Sequence, residues 1–368
     1  MSLWGFPDMN KHHYVAIMAG GIGSRFWPMS RSNYPKQFLD ILNTGHTLIQ
    51  QTFNRFIKFV PAENIYVITL KEYIPIVKKQ LPDIPEENIL GEPSRKNTAP
   101  CVAYISFKLL QKDPLASLIV APSDHLITEE EKFINTCQKG LDFVNHMNAL
   151  VTLGIQPSNP NTGYGYIQYD QLDAVPGVNK VKTFTEKPNL ELAKTFIASG
   201  DFLWNAGIFV WRAKTVLEAF EKHLPEIYEV FAAEKEKFNT EEEVAAVESL
   251  YPHCTNISVD FGVMEKADNV FVIPSSFGWS DLGTWNSAWD TMDKDSYGNA
   301  IAGKHVMMVD SNKCMVHVPD SKLVLLEGLE DYIVVDTKDV LLVCKKDKEQ
   351  EIKDYVAEVK RHKGEKYL

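Results

Sequence analysis

The sequence predicts an α/β protein with a doubly wound, mostly parallel sheet, followed by a small all-β segment. Short apolar runs alternate with amphipathic stretches over the first half, which is typical of buried parallel strands connected by helices. After residue 299, short runs of β-forming residues follow one another closely, which favours an all-β segment. With 368 residues, 45% of them hydrophobic and 24% charged, the chain has a globular composition and enough length for two domains. We place these domains at 1–290 and 291–368.

The first half of the chain supplies the parallel part of the sheet. Its apolar runs are too short for helices, whereas the stretches between them carry apolar residues at helical spacing. The predicted strands are 14–19, 64–70, 117–121 and 149–155, and the predicted helices are 48–59, 74–81, 100–111 and 130–147. This alternation indicates a Rossmann-like sheet that binds its ligand at the carboxyl ends of the strands.

The second half of the chain has a different pattern. The predicted strands of a mixed sheet are 164–169, 181–186 and 206–211, and a helical region is predicted at 214–250. The predicted strands of the tail are 300–309, 313–318, 323–327, 332–336 and 340–344, with a charged helix at 349–362. Because the tail strands are short and closely spaced, we expect irregular coils of a small β-helix.

Charge and cysteine content exclude several classes of protein. The net charge of −11 argues against a nucleic-acid binder, because affinity for a polyanion comes mainly from Lys and Arg. The five cysteines are far apart and include no Cys-x-x-Cys pair, so neither a disulfide framework nor a zinc site is predicted. No run of eighteen apolar residues occurs, and residues 1–13 lack the pattern of a secretory signal. We therefore expect a cytoplasmic protein that binds no membrane.

A glycine-rich loop follows the first predicted strand. Glycines let backbone N–H groups approach phosphate oxygens, and the helix expected next would add its positive end. The loop is not a Walker A sequence, because no Gly-Lys-Ser/Thr follows, and Phe26 stands where a dinucleotide-binding loop requires Gly or Ala. For a lone glycine loop, a tight turn without a ligand is the alternative. The candidate nucleotide-binding residues of the loop are Ala19, Gly20, Gly21, Gly23 and Ser24.

Three cations accompany this loop. Arg25 lies two residues beyond the last glycine, and Arg31 and Lys36 follow in Ser-Arg and Pro-Lys-Gln-Phe. The pattern Gly-Gly-x-Gly-x-Arg followed by Pro-Lys resembles the signature of the sugar nucleotidyltransferase family. Its longer form is similar to the mannose-1-phosphate guanylyltransferases of that family. The resemblance implies that Arg25 contacts the β- and γ-phosphates of the nucleotide and that Lys36 contacts the α-phosphate.

A second motif, Glu-Pro-Ser-Arg-Lys-Asn-Thr-Ala-Pro, begins at Glu92 and precedes a predicted helix. A plain helix N-cap is the alternative role for Asn97. In the guanylyltransferases that the chain resembles, a similar Glu-Pro-x-x-Arg-Asn-Thr-Ala-Pro run borders the guanine pocket, which implies nucleotide binding by Asn97. This chain differs by Lys96, which stands between the arginine and the asparagine.

Two aspartates are candidates for a metal site. Asp124 follows the apolar run 117–121, which places a carboxylate at the carboxyl end of a strand. Asp281 lies among aromatic residues and glycines in Trp-Ser-Asp-Leu-Gly-Thr-Trp. Either residue alone would also suit a turn or an apolar lid. The resemblance implies that both hold Mg²⁺ against phosphate oxygens, and this ligand set suits that ion. We expect His125 to be structural.

Three further motifs carry candidate ligands for a sugar phosphate. They are Thr-Gly-Tyr-Gly-Tyr-Ile with Gly165, Glu-Lys-Pro with Glu186 and Lys187, and Trp-Asn-Ala-Gly-Ile-Phe with Asn205. A strand end with solvated charges is the alternative for Glu-Lys-Pro. By resemblance, Gly165 lets a sugar ring approach the backbone, while Glu186 and Asn205 bind sugar hydroxyls. Lys187 would hold the sugar phosphate as a point charge. The candidate catalytic residues are Arg25, Lys36 and Lys187.

The motifs follow one another in the order typical of the family. The resemblance implies transfer of GMP from GTP to α-D-mannose 1-phosphate, giving GDP-mannose and pyrophosphate, with Mg²⁺ as cofactor. Two alternatives stay open: another pair of substrates, such as glucose 1-phosphate with dTTP or UTP, and a non-catalytic nucleotide-sugar sensor. Longer relatives carry a metal-binding cupin, but His305 and His317 lie apart here, so we expect a single activity. We expect a homodimer.

Overall fold

The computed structural model describes residues 10–368 and all of their side chains except those of 172–174. The expected absence of a secretory signal concerns mainly residues 1–9, which lie outside the described residues. Between residues 10 and 368, no helix combines the length and the apolar character needed to span a bilayer.

Strands and helices alternate through most of the described chain. The strands are β1 (His13–Ala19), β2 (Ile65–Leu70), β3 (Ile89–Glu92), β4 (Ser117–Pro122), β5 (Leu126–Ile127), β6 (Leu150–Ile155), β7 (Tyr166–Val175), β8 (Val178–Thr185), β9 (Phe202–Arg212), β10 (Val270–Ser275), β11 (Trp279–Ser280), β12 (Ala300–Ala302), β13 (Val306–Val309), β14 (Met315–His317), β15 (Val324–Glu327), β16 (Tyr332–Asp336) and β17 (Leu341–Lys345). The α-helices are α1 (Leu48–Phe56), α2 (Ile74–Gln80), α3 (Thr98–Lys112), α4 (Glu130–His146), α5 (Leu190–Ser199), α6 (Ala213–His223), α7 (Pro225–Ala233), α8 (Glu243–Leu250), α9 (Trp285–Thr291) and α10 (Ile352–Lys363).

The chain divides into two compact units. The first consists of the chain up to Gly20, Phe53–Ser123 and Ile127–Trp279. The second consists of Gly21–Thr52, Asp124–Leu126 and Ser280–Leu368. The second unit therefore contains more than the tail, and the sequence-based boundary at residue 290 stays a prediction.

A nine-stranded mixed sheet forms the centre of the first unit, with the strand order β3-β2-β1-β4-β9-β6-β10-β8-β7. β1 pairs in parallel with β2 and β4, and β6 pairs in parallel with β10. β7, β8 and β9 pair antiparallel with their neighbours. The predicted doubly wound α/β sheet is confirmed as a mixed sheet. Within residues 10–368, four of its pairings are parallel and five, all involving β7, β8 or β9, are antiparallel, so the parallel pairings are fewer than predicted.

Two strands of this sheet fall outside the predicted set. β3 contains Gly91 and ends on Glu92, and β10 contains Pro274, so neither is a continuous run of β-forming residues. Each forms a strand because a parallel neighbour, β2 for β3 and β6 for β10, supplies its hydrogen-bonding partner. Tertiary context therefore overrides local propensity at these two places.

The helical region predicted at 214–250 consists of three α-helices, α6, α7 and α8, with a 3-10 turn, Lys235–Lys237, between the last two. Pro225 is the first residue of α7, a position at which the missing N–H of proline costs nothing. Within a longer helix the same proline would remove a hydrogen bond, so α6 ends before it. Asn239 has a φ of 65°, which is not helical, and lies between α7 and α8.

The carboxyl ends of β1, β2 and β4 lie side by side because these strands are parallel. The Thr69 hydroxyl donates to the Ala19 carbonyl at 2.8 Å, and the Ser123 N–H donates to the Met18 carbonyl at 3.0 Å. The glycine loop therefore leaves β1 from a well-anchored edge.

The tail, which belongs to the second unit, forms short parallel coils. β12, β14 and β16 pair in parallel, and β13 pairs in parallel with β15. The first two coils thus contribute one strand to each of two small sheets, which confirms the predicted β-helix-like segment. Gly303, with a φ of 145°, separates β12 from β13, so the strand predicted at 300–309 is two strands.

A buried apolar cluster within the second unit includes both tail residues and residues close to the glycine loop. Phe26, Trp27 and Trp285 belong to this cluster together with Met315 and Ile333. The ring centres of Phe26 and Trp285 are 4.9 Å apart. The tail therefore shares one core with the segment that follows the loop.

Candidate active site

The glycine loop depends on Gly23 for its conformation. Gly23 is left-handed, with φ 69° and ψ 43°, and a three-residue 3-10 helix, Ser24–Phe26, follows it. A Cβ at Gly23 would collide with the Lys36 side chain, whereas a Cβ at Gly21 would meet no atom within 4 Å. The helix that follows the loop is a single 3-10 turn and not a longer α-helix, because Pro28 cannot continue an α-helix. The groups of this loop that could bind a phosphate are therefore its backbone N–H groups and not the end of a long helix.

Lys36 is a buried ammonium with a full set of acceptors. Its Nζ forms an ion pair with Asp124 Oδ2 at 2.9 Å and donates to the carbonyls of Asp281 and Leu282 at 2.9 and 2.8 Å. An ammonium has three N–H donors, so these three acceptors use all of them. Lys36 therefore connects the Asp124 carboxylate to the turn that carries Asp281.

The carboxylate of Asp124 is kept ionised by its neighbours. Burial alone would raise its pKa, but the charges of Lys36 and His125 and the hydrogen bond from Lys36 outweigh burial, so the pKa is lowered. The Asp281 side chain is oriented by a hydrogen bond from the Gly283 N–H to its Oδ1, at 3.0 Å.

Asp124 and Asp281 are the carboxylates that could hold a divalent ion. Both are bonded to the same ammonium, one through its carboxylate and the other through its backbone carbonyl. Mg²⁺ is usually held by one or two carboxylates and completes its octahedral shell with phosphate oxygens and waters. Within residues 10–368, no three or more His, Cys, Asp and Glu side chains are grouped to hold a metal. The pair therefore fits an ion that arrives with a phosphate substrate.

Arg25 and Arg31 have different surroundings. Arg25 lies in the 3-10 helix, and its Nε donates to Gln350 Oε1 at 3.0 Å in an exposed position. A guanidinium has five N–H donors, so this neutral contact leaves donors for phosphate oxygens. Arg31 forms an ion pair with Asp339 at 2.8 Å and therefore connects the segment after the loop to the tail within the second unit.

The four predicted sugar-phosphate residues lie together in the first unit. A Cβ at Gly165 would collide with the Glu186 carboxylate, and the Asn205 N–H donates to the Gly165 carbonyl at 2.8 Å. Lys187 Nζ pairs with Glu186 Oε1 at 2.6 Å. Lys187 also has a φ of 48°, an unusual conformation for a residue with a side chain. The group combines hydrogen-bond acceptors and a cation, which a sugar phosphate requires, whereas the space beside Gly165 is occupied by the Glu186 carboxylate.

The second motif contains a buried acid to which the sequence assigned no separate role. Glu92 ends β3, accepts a hydrogen bond from the Tyr251 hydroxyl, and would lie 3.3 Å from a Cβ at Gly20. Burial raises the pKa of Glu92 to about 7. Asn97, with a φ of 64°, caps α3 by accepting from the Thr98 N–H at 3.0 Å. Its capping role is therefore real, and nucleotide binding by Asn97 stays a prediction.

A second acid, Asp260, was missed by the sequence reasoning. It begins a π-helix, Asp260–Met264, and its Oδ1 accepts from Asn205 Nδ2 at 2.8 Å. The available signal was a single carboxylate within the apolar stretch 257–264, but that stretch carries no glycine pattern of the kind that marked the other motifs.

The predicted residues are therefore distributed over both units. The first unit contains Ala19, Gly20, Asn97, Gly165, Glu186, Lys187 and Asn205. The second unit contains Gly21, Gly23, Ser24, Arg25, Lys36, Asp124 and Asp281. The loop residues from Gly21 onward lie in the same unit as Lys36, Asp124 and Asp281, and the group around Glu186 lies in the other unit.

The fold and these groups of residues define a nucleotidyltransferase. Residues 14–297 match the family model described as nucleotidyl transferase, so the chain belongs to this family of enzymes. Residues 303–359 match the MannoseP isomerase/GMP-like beta-helix domain, in agreement with the coiled tail.

Two named relatives show which kinds of nucleotidyltransferase the chain is similar to in sequence. The chain is 39% identical over 352 residues to the mannose-1-phosphate guanylyltransferase of Salmonella montevideo, covering 94% of this chain and 73% of that protein. It is 38% identical over 345 residues to the alginate biosynthesis protein AlgA of Pseudomonas syringae pv. tomato, covering 93% of this chain and 70% of that protein.

A solved structure has a similar fold over nearly the whole chain. The mannose-1-phosphate geranyltransferase from Thermus thermophilus matches with a TM-score of 0.85 and 29% identity, covering 95% of this chain and 99% of that one. Small-molecule nucleotide and sugar-phosphate substrates are consistent with this family.

Proposed function

We propose that the enzyme transfers GMP from GTP to α-D-mannose 1-phosphate, giving GDP-mannose and pyrophosphate. The observation that carries this proposal is the Lys36 ammonium, which binds both Asp124 and the turn of Asp281 beside an open glycine loop. This arrangement suits a triphosphate with a divalent ion. The identity of 39% to a mannose-1-phosphate guanylyltransferase over 94% of the chain supports guanine and mannose as the base and sugar.

The reaction needs little acid–base chemistry from the protein. A phosphate oxygen of mannose 1-phosphate attacks the α-phosphorus of GTP in line, the bond to the bridging oxygen breaks, and pyrophosphate leaves. A phosphate monoester is largely dianionic near neutral pH, since its second pKa is about 6. The protein therefore acts mainly by positioning two mutually repelling anions and by stabilising charge at the α-phosphoryl and leaving groups.

Each cation has a separate part in this positioning. Arg25 would bind the β- and γ-phosphates through its fork of N–H donors, and Lys187 would bind the phosphate of the sugar. For Lys36 to contact the α-phosphate, its ammonium must exchange one of its three present acceptors for a phosphate oxygen. The backbone N–H groups at Gly21 and its neighbours would bind further phosphate oxygens.

Nucleotidyltransferases of this family generally use a divalent metal ion. We propose Mg²⁺, held by the carboxylates of Asp124 and Asp281. When bound, such an ion neutralises phosphate charge and polarises the α-phosphoryl group. Lys36 and His125 prepare this site by keeping Asp124 ionised.

The substrate pair is tested by measuring pyrophosphate release for GTP, ATP, UTP and dTTP, each with mannose, glucose and N-acetylglucosamine 1-phosphate. GTP with mannose 1-phosphate is expected to give the highest kcat/KM. If another pair is best, the proposed substrates are wrong and the reaction class remains. If no pair releases pyrophosphate, the alternative of a nucleotide-sugar sensor is favoured.

The carboxylate pair is tested with Asp124→Asn, which keeps the shape of the side chain and removes its charge. Turnover should fall on the order of a hundredfold or more, because metal binding contributes several kcal/mol to this kind of reaction. The far-ultraviolet circular dichroism should be unchanged. Asp83→Asn, at an exposed position, is the matched control and should keep normal turnover. Near-normal turnover in Asp124→Asn would remove the metal assignment.

We also propose a homodimer that forms through the tail. In register, Met307 of β13 lies beside Leu325 of β15, and these side chains are 52% and 59% exposed. Val309, also exposed, lies on the same face of β13. Exposed apolar side chains that lie together favour an interface. Light scattering should give twice the chain mass, and Leu325→Glu should give the monomer mass; a monomeric wild-type protein would contradict the proposal.

A cytoplasmic location remains part of the proposal. The cysteines Cys101, Cys137, Cys254, Cys314 and Cys344 are all buried and unpaired, as is usual in a reducing compartment.

A further inference from the structure

The Asp260 carboxylate is aimed by a side chain that is itself fixed. Asn205 Oδ1 accepts from the Thr152 hydroxyl at 2.9 Å and from the Gly207 N–H at 3.1 Å. With the oxygen of the amide assigned by these two donors, its Nδ2 must face Asp260 Oδ1, at 2.8 Å. One N–H of the Asn205 amide therefore positions Asp260, and the acceptor that this network presents is the carboxylate of Asp260.

The segment that leads into Asp260 is anchored to the start of α3. The Val259 N–H donates to the Thr98 hydroxyl at 2.9 Å, and the Ala99 N–H donates to the Ile257 carbonyl at 3.1 Å. Val259 is fully buried, whereas Asp260 is only partly buried. A π-helix starts at Asp260, and such helical irregularities are frequent at functional sites. The backbone thus presents one acid from an otherwise apolar stretch.

Asp260 and Glu186 belong to one group of side chains, because Asn205 donates to Asp260 and to the Gly165 carbonyl, and a Cβ at Gly165 would collide with the Glu186 carboxylate. Burial, helped by the negative charge of Glu186, raises the pKa of Asp260 to about 6, although the hydrogen bond from Asn205 and the charge of Lys187 act in the opposite direction. Two acids so placed are unfavourable in the absence of donors. Carboxylates are strong acceptors of hydrogen bonds from hydroxyl groups, and the hydroxyls of a sugar ring supply several donors within a small space.

We propose that Asp260 is a sugar-recognition residue whose carboxylate accepts a hydrogen bond from a ring hydroxyl of the sugar 1-phosphate, beside Glu186. This inference rests on the proposed function, because it concerns the sugar substrate of the same reaction. Lys187 holds the phosphate end of that substrate, and the Glu186 and Asp260 carboxylates select its hydroxyl pattern. Asn205 is then a positioning residue, and Asp260 is the group that touches the substrate.

The test combines Asp260→Asn with substrates that each lack one hydroxyl. Relative to wild type, Asp260→Asn should raise the KM for mannose 1-phosphate on the order of tenfold or more, as expected for a lost hydrogen bond to a charged group. The KM for GTP should stay within about twofold. For one of the 2-deoxy, 3-deoxy and 4-deoxy analogues of mannose 1-phosphate, variant and wild type should have the same KM, because that analogue lacks the hydroxyl that Asp260 binds.

Asp268→Asn is the matched control. Asp268 belongs to the same part of the chain but is exposed and pairs with Lys222 at 3.1 Å, so its loss should leave every KM unchanged. A merely structural role of Asp260 would shift the KM for GTP and for all sugar analogues together, and that result would overturn the proposal. An unchanged KM for mannose 1-phosphate in Asp260→Asn would overturn it as well.

The outcome is independent of the proposed substrate pair. If the wild-type protein does not use mannose 1-phosphate, the proposed function fails by that measurement alone. The comparison of Asp260→Asn with wild type is then made with the sugar 1-phosphate that the wild type uses and with its deoxy analogues, and the same two results decide the inference.

Discussion

Lys36 shows how one side chain serves both stability and the reaction. Removing an ammonium from water costs several kcal/mol unless the charge is fully paired. Here one carboxylate and two backbone carbonyls accept its three donors. The same contacts hold Asp124 ionised and fix the turn of Asp281. A residue predicted as a phosphate ligand is therefore also a structural tie in the free protein.

Replacing Lys36 by Met should test this double role. The variant leaves Asp124 without its counter-charge and two carbonyls without a donor, so the free energy of unfolding should fall by about 2 kcal/mol. Urea unfolding followed by fluorescence measures the loss. Lys58→Met, at an exposed ion pair with Glu130, is the control and should change stability by less than about 0.5 kcal/mol. Equal stability of both variants would show that Lys36 does not tie the site together.

Glu92 should give the stability of the protein a distinctive pH dependence. Burial raises its pKa from 4.5 to about 7, so the folded protein keeps a proton that the unfolded chain has already released. Below pH 4.5, Glu92 is protonated in both the folded and the unfolded protein and does not affect stability. As the pH rises above 4.5, Glu92 increasingly destabilises the folded protein. Between pH 5 and pH 8 it should lower the free energy of unfolding by roughly 2 kcal/mol.

Glu92→Gln provides the measurement, because glutamine keeps an acceptor for the Tyr251 hydroxyl but does not titrate. Relative to wild type, this variant should gain roughly 2 kcal/mol in the free energy of unfolding between pH 5 and pH 8. Urea titrations at several pH values give the difference. A constant difference between the two proteins over this range would show that Glu92 titrates normally.

At the scale of elements, the glycine loop shows two different reasons for glycine. Gly23 is needed because its φ is 69° and because Lys36 occupies the space where a Cβ would lie. Gly21 has open space around it, so the folded chain alone gives no reason for glycine there. A close approach of phosphate to the backbone would supply that reason.

Alanine variants at these two positions should therefore have opposite profiles. Gly23→Ala should lower the free energy of unfolding by about 2 kcal/mol or more, from left-handed strain and the clash with Lys36. Gly21→Ala should leave stability within about 0.5 kcal/mol and raise the KM for GTP about tenfold. Thermal unfolding and steady-state kinetics separate the two effects. Normal GTP kinetics in Gly21→Ala would contradict a phosphate at this position.

For the whole molecule, the division into units changes how the tail is understood. The apolar cluster of the second unit contains Phe26 and Trp285 together with Ile333 of the tail. The family model for the tail starts at residue 303, but the apolar core of the tail also includes side chains from close to the glycine loop. The tail therefore contributes to the stability of the segment that carries Arg25 and Lys36.

Ile333→Ala should reveal this dependence. Ile333 is fully buried, so its truncation should lower the free energy of unfolding by about 3 kcal/mol, and the KM for GTP should rise because the segment after the loop loosens. Leu323→Ala, at a tail position that is 69% exposed, is the control and should alter neither quantity. A destabilised Ile333→Ala protein with an unchanged KM for GTP would separate the tail from nucleotide binding.

The sequence by itself determined the chemistry-bearing motifs and the class of fold. Glycine spacing, the positions of Arg25 and Lys36 and the alternation of strands and helices are local properties, so the amino-acid sequence alone predicts them. The tail coils followed in the same way from closely spaced strands, although Gly303 and Pro225 divided elements that the apolar pattern predicted as continuous.

Only the tertiary structure decided which distant groups meet. Lys36 and the turn at Asp281 are separated by 245 residues, and Asn205 and Asp260 by 55. Hydrogen bonds over such separations depend on how the chain packs within each unit, and no local sequence pattern reports them. The same holds for the burial that raises the pKa values of Glu92 and Asp260. The spacing of the motifs therefore indicated which ligands their residues are suited to bind. Tertiary packing decided which of these residues already form hydrogen bonds or ion pairs within the protein.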